Sequence, residues 1–191
     1  MRLAGIDYSL TSPAICTFKG TEFNLKDCRF SFLTFENKYE VSDFKFKSFV
    51  MEKGLSYPER YDFISNWVIY FLKTNRIKVA FLEDYSYGSQ GKVFHIAENG
   101  GVLKDKLWKA GIEYHLIPPT VIKKHATGKG NSNKEIMEQS FFKETNFNVR
   151  DYLGMPEKSF NPSSDIIDSY FICKYGAYYL DDRLEDVQQT V

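Results

Sequence analysis

The sequence predicts an α/β fold with a central five-stranded mixed sheet, three antiparallel strands followed by two parallel ones, flanked by helices. Three observations predict it. Short apolar or alternating runs open the chain, helical apolar stripes separate the later runs, and Gly or Pro punctuates the joins. Strands linked by a few residues fold back on one another, whereas strands linked through a helix run parallel by right-handed crossovers. With 191 residues, the chain suffices for one domain with a substantial core.

"RLAGIDYSL" (Arg2 to Leu10) reads as a buried strand ending in Asp7, and "SPAICTFKG" as a second strand closed by Gly20. "CRFSFLTF" (Cys28 to Phe35) alternates polar and apolar residues as a half-buried third strand does. Residues Glu36 to Tyr57 are mixed and charged. Only "FKSFVM" hints at extended structure there, and the stretch is assigned to a loop or small excursion. "PERYDFISNWVIYFLKTN" places Tyr61, Ile64, Trp67, Val68 and Phe71 on one helical face, with Pro58 suited to a helix start. This crossover helix feeds "KVAFLEDYSYG", a strand from Val79 to Leu82 that ends at Glu83.

"GKVFHIAENGGVLKDKLWKAG" then reads as a helix interrupted by Gly100 and Gly101 and stopped by Gly111, and "IEYHLIPP" as the fifth strand. "PTVIKKHATGKGNSNKEIMEQSFFKET" passes from a short helical piece through a Gly-rich loop to a helix capped near Ser132 or Asn133. The last helix follows "NPSS", where Ser163 or Ser164 can cap it, and runs to about Tyr179.

Composition narrows the function classes. Apolar residues at 43% and aromatics at 17% argue against disorder, and no apolar run approaches the roughly 18 residues of a membrane span, so a soluble protein is expected. Net charge is zero, so binding to a polyanion must come from a local basic patch. Cys16, Cys28 and Cys173 are odd in number, lie in apolar surroundings and lack CxxC spacing; they read as buried reduced thiols. "MRLAGIDYS" is too short and too quickly polar for a signal peptide, so a reducing, cytoplasmic setting follows.

The candidate chemistry lies in carboxylates. Asp7 and Glu83 each close a central strand at its carboxyl end, the edge where open α/β sheets place their sites. In "SSDIIDSYFIC", Asp165 and Asp168 are three apart on one helical stripe that Ile172 extends, so both face inward. Taken singly, a strand-end Asp is more often a turn or cap residue, Asp84 competes with Glu83, and Asp165 has a simpler role as a first-turn acid favoured by the helix dipole. Together they repel one another at a desolvated edge unless a cation lies between them. Mg²⁺ suits such a set, because it takes oxygen ligands, keeps several waters and leaves room for phosphate oxygens. Two such ions about 3.5–4 Å apart can serve both sides of a phosphodiester.

Here the sequence resembles the RuvC family of Holliday junction resolvases, within the RNase H-like superfamily. "GIDYS" is similar to the family's opening Gly-Ile-Asp strand, with Tyr8 and Ser9 where the family usually has Pro-Gly. "AFLEDYSY" resembles the strand that ends in the second catalytic acid and selects Glu83 over Asp84. "PTVIKKHATGKGNSNK" is similar to a segment with a Pro, a Lys four residues later, a Gly-x-Gly and a Lys before a helix, and "SDIIDSY" to the terminal Asp-x-x-Asp helix. Glu36 to Tyr57 is the main unmatched part. The resemblance implies an RNase H-like fold and a metal-dependent endonuclease on branched DNA, the four-way junction, with Asp7, Glu83, Asp165 and Asp168 as catalytic ligands of Mg²⁺, for which Mn²⁺ substitutes. It also implies a homodimer, since two opposed cuts take two sites about a two-fold axis. The helices of Trp67 and Trp108 are the candidate interfaces, and a helicase partner is left open.

A DNA-facing surface is also legible. From Tyr114 to Lys134 there is no acidic residue, while Lys123, Lys124, Lys129 and Lys134 are basic. Gly128 and Gly130 allow close approach to a phosphate, and the following helix offers free N–H groups. A solvated Lys-rich loop is the plainer alternative; Lys123 and Lys134 fit the family's basic positions best. Tyr85 and Tyr87 could stack on an unpaired base or equally pack in a core or dimer contact. His95, His115 and His125 are scattered and unsuited as ligands, although His125 stands beside the lysines and within reach of a phosphate. Three rivals stand against the junction nuclease: an RNase H-like nuclease on other branched, flap or hybrid substrates; a non-catalytic nucleic-acid-binding member of the fold, disfavoured by the full acidic set; and an actin-like phosphotransferase, disfavoured because "DYSLTSP" lacks a Gly-rich phosphate turn.

Overall fold

Residue alternation sorts each strand into two faces, and the computed structural model, which describes residues 1–35, 39–84, 93–156 and 158–189, shows what covers each face. The elements are β1 (Arg2–Asp7), β2 (Ala14–Lys19), β3 (Cys28–Thr34), β4 (Phe46–Val50), α1 (Tyr57–Thr74), β5 (Val79–Glu83), α2 (Val93–Lys109), β6 (Glu113–Ile117), α3 (Pro119–Thr127), α4 (Lys134–Thr145), α5 (Val149–Tyr152) and α6 (Ser163–Gln189). They form one sheet in the order β4-β3-β2-β1-β5-β6. β2 lies between β1 and β3 and pairs antiparallel with both, β5 pairs parallel with β1, and β6 pairs parallel with β5.

The sheet therefore has six strands and not five. The extra one, β4, lies inside the stretch expected to be a loop and pairs parallel with β3, Phe30 opposite Phe46. Its pattern hid it: in "FKSFV" the phenylalanines stand three apart, which breaks the strand period of two. What holds it is tertiary. The Phe46 ring stacks on Phe30 with centroids 4.9 Å apart and meets Tyr152 at 4.8 Å. The short α5, which carries Tyr152, was likewise not expected, and α6 runs ten residues past Tyr179 to Gln189.

Three layers result. On one face Ala4, Ile6, Ile15, Leu33, Ala80 and Leu82 pack against Ile64, Trp67, Val68 and Leu72 of α1 and Leu103 and Leu107 of α2. On the other face Leu3, Cys16, Phe18, Phe30, Phe32 and Phe81 pack against Met137 and Phe141 of α4 and Ile166, Tyr170, Phe171 and Cys173 of α6. Cys16, Cys28 and Cys173 are buried free thiols. α1 begins where the Glu59 carboxylate accepts from the Ser56 amide (2.9 Å) and hydroxyl (2.6 Å). Trp67 faces the core from α1's inner side: it is 6% exposed, and its Nε1 donates to Ser31 Oγ at 3.2 Å. Trp108, by contrast, is 75% exposed. No helix among the described residues is long and apolar enough to cross a membrane.

Candidate active site

Strand periodicity puts two acids on one face. Leu3, Gly5 and Asp7 alternate with Ala4 and Ile6, so Asp7 faces the α6 side of the sheet; Phe81 and Glu83 do the same on β5. The parallel pairing of β1 and β5 reaches Ile6 opposite Leu82, one residue short of each acid. Asp7 and Glu83 thus leave the sheet side by side, on strands roughly 4.8 Å apart.

The third contribution depends on how closely α6 lies on β1. A Cβ built on Gly5 would stand 2.2 Å from the Cys173 backbone nitrogen and 2.4 Å from the Ser169 carbonyl oxygen, so the helix rests on bare strand backbone. One and two turns towards the helix start, Asp168 and Asp165 lie over the carboxyl end of the strand, with Asp165 only 6% exposed.

The four acids feel one another. Burial raises Asp7 well above the ordinary carboxylate range, and the charges of Asp165, Glu83 and Asp168 add to the rise. Burial also lifts Asp168 to about 7, reinforced by Glu83 and Asp165 and opposed by Lys134 and Lys123. Asp165 is lifted to about 6, again by burial, against the lowering effects of a Ser12 hydrogen bond, Lys134 and a hydrogen bond with Asp7. Glu83 is raised by burial, with Lys123 pulling it down and Asp165 pushing it up. The hydrogen bond between Asp7 and Asp165 raises the first and lowers the second.

Lysines expected to face DNA stand beside these acids. Lys123, on α3, and Lys134, at the start of α4, line a cavity of about 130 Å³ together with Glu83, Asp168 and Ser164. Lys134 Nζ donates to Asn161 Oδ1 (3.0 Å) and Ser164 Oγ (3.1 Å), and Asn161 Nδ2 donates to Ser12 Oγ (2.7 Å). This chain of hydrogen bonds joins the lysine to the serine that supports Asp165. α4 is capped by Asn133, whose side chain accepts from the Ile136 amide at 3.0 Å. Between α3 and α4, Gly128 takes the left-handed conformation (φ 82), and the Thr127 and Ser132 hydroxyls meet at 2.6 Å. Lys124 and Lys129 are exposed on the outer side of this segment.

The donor set is all carboxylate oxygen, the chemistry of hard divalent cations. Asp165 Oδ2 is buried and has no hydrogen-bond partner among the described residues, so one ligand-type atom there is uncompensated. Among those residues no three His, Cys, Asp or Glu side chains are drawn tightly enough to grip an ion as they stand, which mutual repulsion opposes. The set fits a divalent cation in kind.

Other expectations fare differently. Tyr85 and Tyr87 lie outside the described residues. His125 turns towards α6, packing against Tyr175 and Tyr178, and burial with the nearby Lys174 charge lowers its pKa. Ser12 and Asn161 were not singled out from sequence, and Ser164 only as a helix cap. Only the last two carried a signal, as the polar turn "NPSS" ahead of a helix.

No protein-family model and no curated protein sequence matches the chain. Solved structures do. RuvC of Thermus thermophilus in complex with a Holliday junction substrate is similar at 20% identity and a TM-score of 0.63, covering 94% of both chains. The yeast mitochondrial Holliday junction resolvase Ydc2 is similar at 13% identity and a TM-score of 0.57, covering 100% of this chain and 84% of that one. The fowlpox virus resolvase in complex with Holliday junction DNA is similar at 14% identity and a TM-score of 0.52, covering 94% and 99%. The fold is thus the RNase H-like, RuvC-like fold of Holliday junction resolvases.

Proposed function

We propose that this chain, folded as the junction resolvases are, is a divalent-metal-dependent endonuclease that hydrolyses phosphodiesters in four-way DNA junctions. The observation that carries the reading is the gathering of Asp7, Glu83, Asp165 and Asp168 from three separate elements onto one rim, each with its pKa raised by burial. Two of the similar structures hold Holliday junction DNA, which supports the substrate class.

The four acids are the ligands for Mg²⁺, or Mn²⁺ in its place, as one ion or two. When bound, such ions supply an activated water and stabilise the leaving oxygen. The chain's own residues do the rest. Ser12 and the Asp7 hydrogen bond orient Asp165, while Lys123 and Lys134 neutralise backbone phosphates at the cavity wall and keep Glu83 and Asp168 closer to ionised. Gly128 and the amino end of α4 bring further amide donors to a phosphate. Symmetric cutting calls for a homodimer, and the outer faces of α1, with Tyr70 59% exposed, and of α2, with Trp108 75% exposed, are its interface candidates.

The test is cleavage of labelled four-way junctions, flaps and RNA–DNA hybrids with Mg²⁺. Preferential cutting of the junction, abolished in Asp7→Asn and Asp168→Asn, is expected. Normal cutting by those variants would refute the site, and cutting confined to flaps or hybrids would move the chain to another RNase H-like activity.

A further inference from the structure

At the end of the sheet opposite the carboxylates, a cavity of about 470 Å³ opens between the start of β1, the end of β2, the start of β3 and the turn before β5. It is larger than the cavity beside the acids and lies roughly 17 Å from that rim, the rise of the six residues of β1. Phe18 and Ile77 give it an apolar floor. Around them stand Arg2, Lys19, Lys26, Arg29 and Arg76, five exposed cations against the single carboxylate of Asp27. Asp27 is engaged elsewhere, its Oδ2 accepting from Asn24 Nδ2 at 2.7 Å. None of the five cations has an ion pair among the described residues.

Five unpaired like charges around one concavity repel one another, in a chain whose net charge is zero. That arrangement is unfavourable on its own and becomes favourable with an anion inside. The mouth supplies a second feature. Phe44 is 77% exposed, and the Arg29 guanidinium carbon lies 4.3 Å from its ring centroid, a cation–aromatic pair of the kind that stacks on a nucleobase. The volume falls within the range of roughly 300–1,000 Å³ typical of small-ligand sites.

We infer that this cavity is a second binding site, for a nucleoside phosphate: the phosphate lies among the five cations and the base stacks on Phe44. The ligand is either a free nucleotide or one residue of a nucleic-acid strand, since both present the same chemistry. The inference is independent of the nuclease reading.

The full chain, with EDTA present, is titrated with AMP by calorimetry and with a short labelled, 5′-phosphorylated single strand by anisotropy. The variants Arg29→Glu/Arg76→Glu and Phe44→Ala alter exposed side chains, and thermal melts confirm their fold. Binding of either probe is expected to weaken at least tenfold in the charge variant. Phe44→Ala is expected to weaken it while leaving the salt slope unchanged, because no counterion release is lost. Binding of AMP identifies a free-nucleotide site; binding of the strand alone identifies a strand contact. The proposal is overturned if both probes bind the variants as they bind the wild type, if neither probe binds the wild type, if strand binding responds only to Lys123→Ala and Lys134→Ala, or if inorganic phosphate competes as well as AMP and Phe44→Ala has no effect.

Discussion

Gly5 lies directly beneath Cys173, so close that a Cβ on the glycine would stand 2.2 Å from the Cys173 amide nitrogen. The neighbouring atoms are helix backbone and cannot rotate away. Gly5→Ala must lift α6 off β1, and with it Asp165 and Asp168. Such overpacking costs about 1–3 kcal/mol, so we expect Tm to fall by several degrees. Cleavage should fall further than the loss of folded protein accounts for. A melting curve alongside a single-turnover cleavage assay checks both; an unchanged Tm would show that the helix does not bear on the strand.

Stability should also vary with pH in a definite sense. Asp165 and Asp168 titrate at about 6 and about 7 in the folded chain against an ordinary 3.8, so the native state holds protons that the unfolded chain releases. Their contribution to stability is full below pH 4 and is lost as pH rises through 6 and 7. In EDTA the wild type should therefore melt lower at pH 8 than at pH 5. Asp168→Asn should melt above wild type at pH 8, with the gap closing towards pH 4. A flat profile of Tm against pH would contradict the raised pKa values.

Divalent ions should reverse that loss. At pH 8, Mg²⁺ or Mn²⁺ is expected to raise the Tm of the wild type by binding the native state, and to do so much less in Asp7→Asn. Thermal shift across a range of ion concentrations measures this without reference to activity.

The two roles proposed for Lys134 separate in experiment. Lys134→Ala should weaken junction binding and reduce the slope of log K against log salt by about 0.9, the loss of one phosphate contact. It should also raise the pH at which Asp165 and Asp168 ionise, since Lys134 lowers both. Lys124→Ala is expected to leave that ionisation unchanged.

The start of α6 is held through Glu138, which also lines the cavity beside the acids. Arg150 Nη2 donates to both Glu138 oxygens at 2.8 Å, its Nη1 to the carbonyls of Pro156 (3.2 Å) and Ser159, and Ser163 Oγ reaches Glu138 Oε1 at 3.3 Å. Arg150→Lys keeps the charge but loses the fork. We expect a loss of about 1–3 kcal/mol, read by urea unfolding, and a weaker cleavage rate with an unaltered KM.

The acids were legible in the sequence because local rules place them: Asp7 and Glu83 close apolar strands, and Asp165 and Asp168 stand one helical turn apart. The same local rules missed β4, whose phenylalanines at 46 and 49 are spaced against the strand period and find their reason only in Phe30 across the pairing. Ser12 and Asn161 were missed because their meaning is a 2.7 Å hydrogen bond between loops far apart in the chain. The basic cavity was missed for the same cause. Arg2, Lys19, Lys26, Arg29 and Arg76 are unremarkable in order along the polypeptide and become a group only where four strand ends meet.

The distribution of the acid rim over β1, β5 and α6 has one more consequence. No fragment of the fold contains it, so an incomplete or partly melted polypeptide carries the acid residues without their convergence. Under the activity proposed above, cleavage would be as cooperative as folding itself, and a chain still being assembled would not cut DNA.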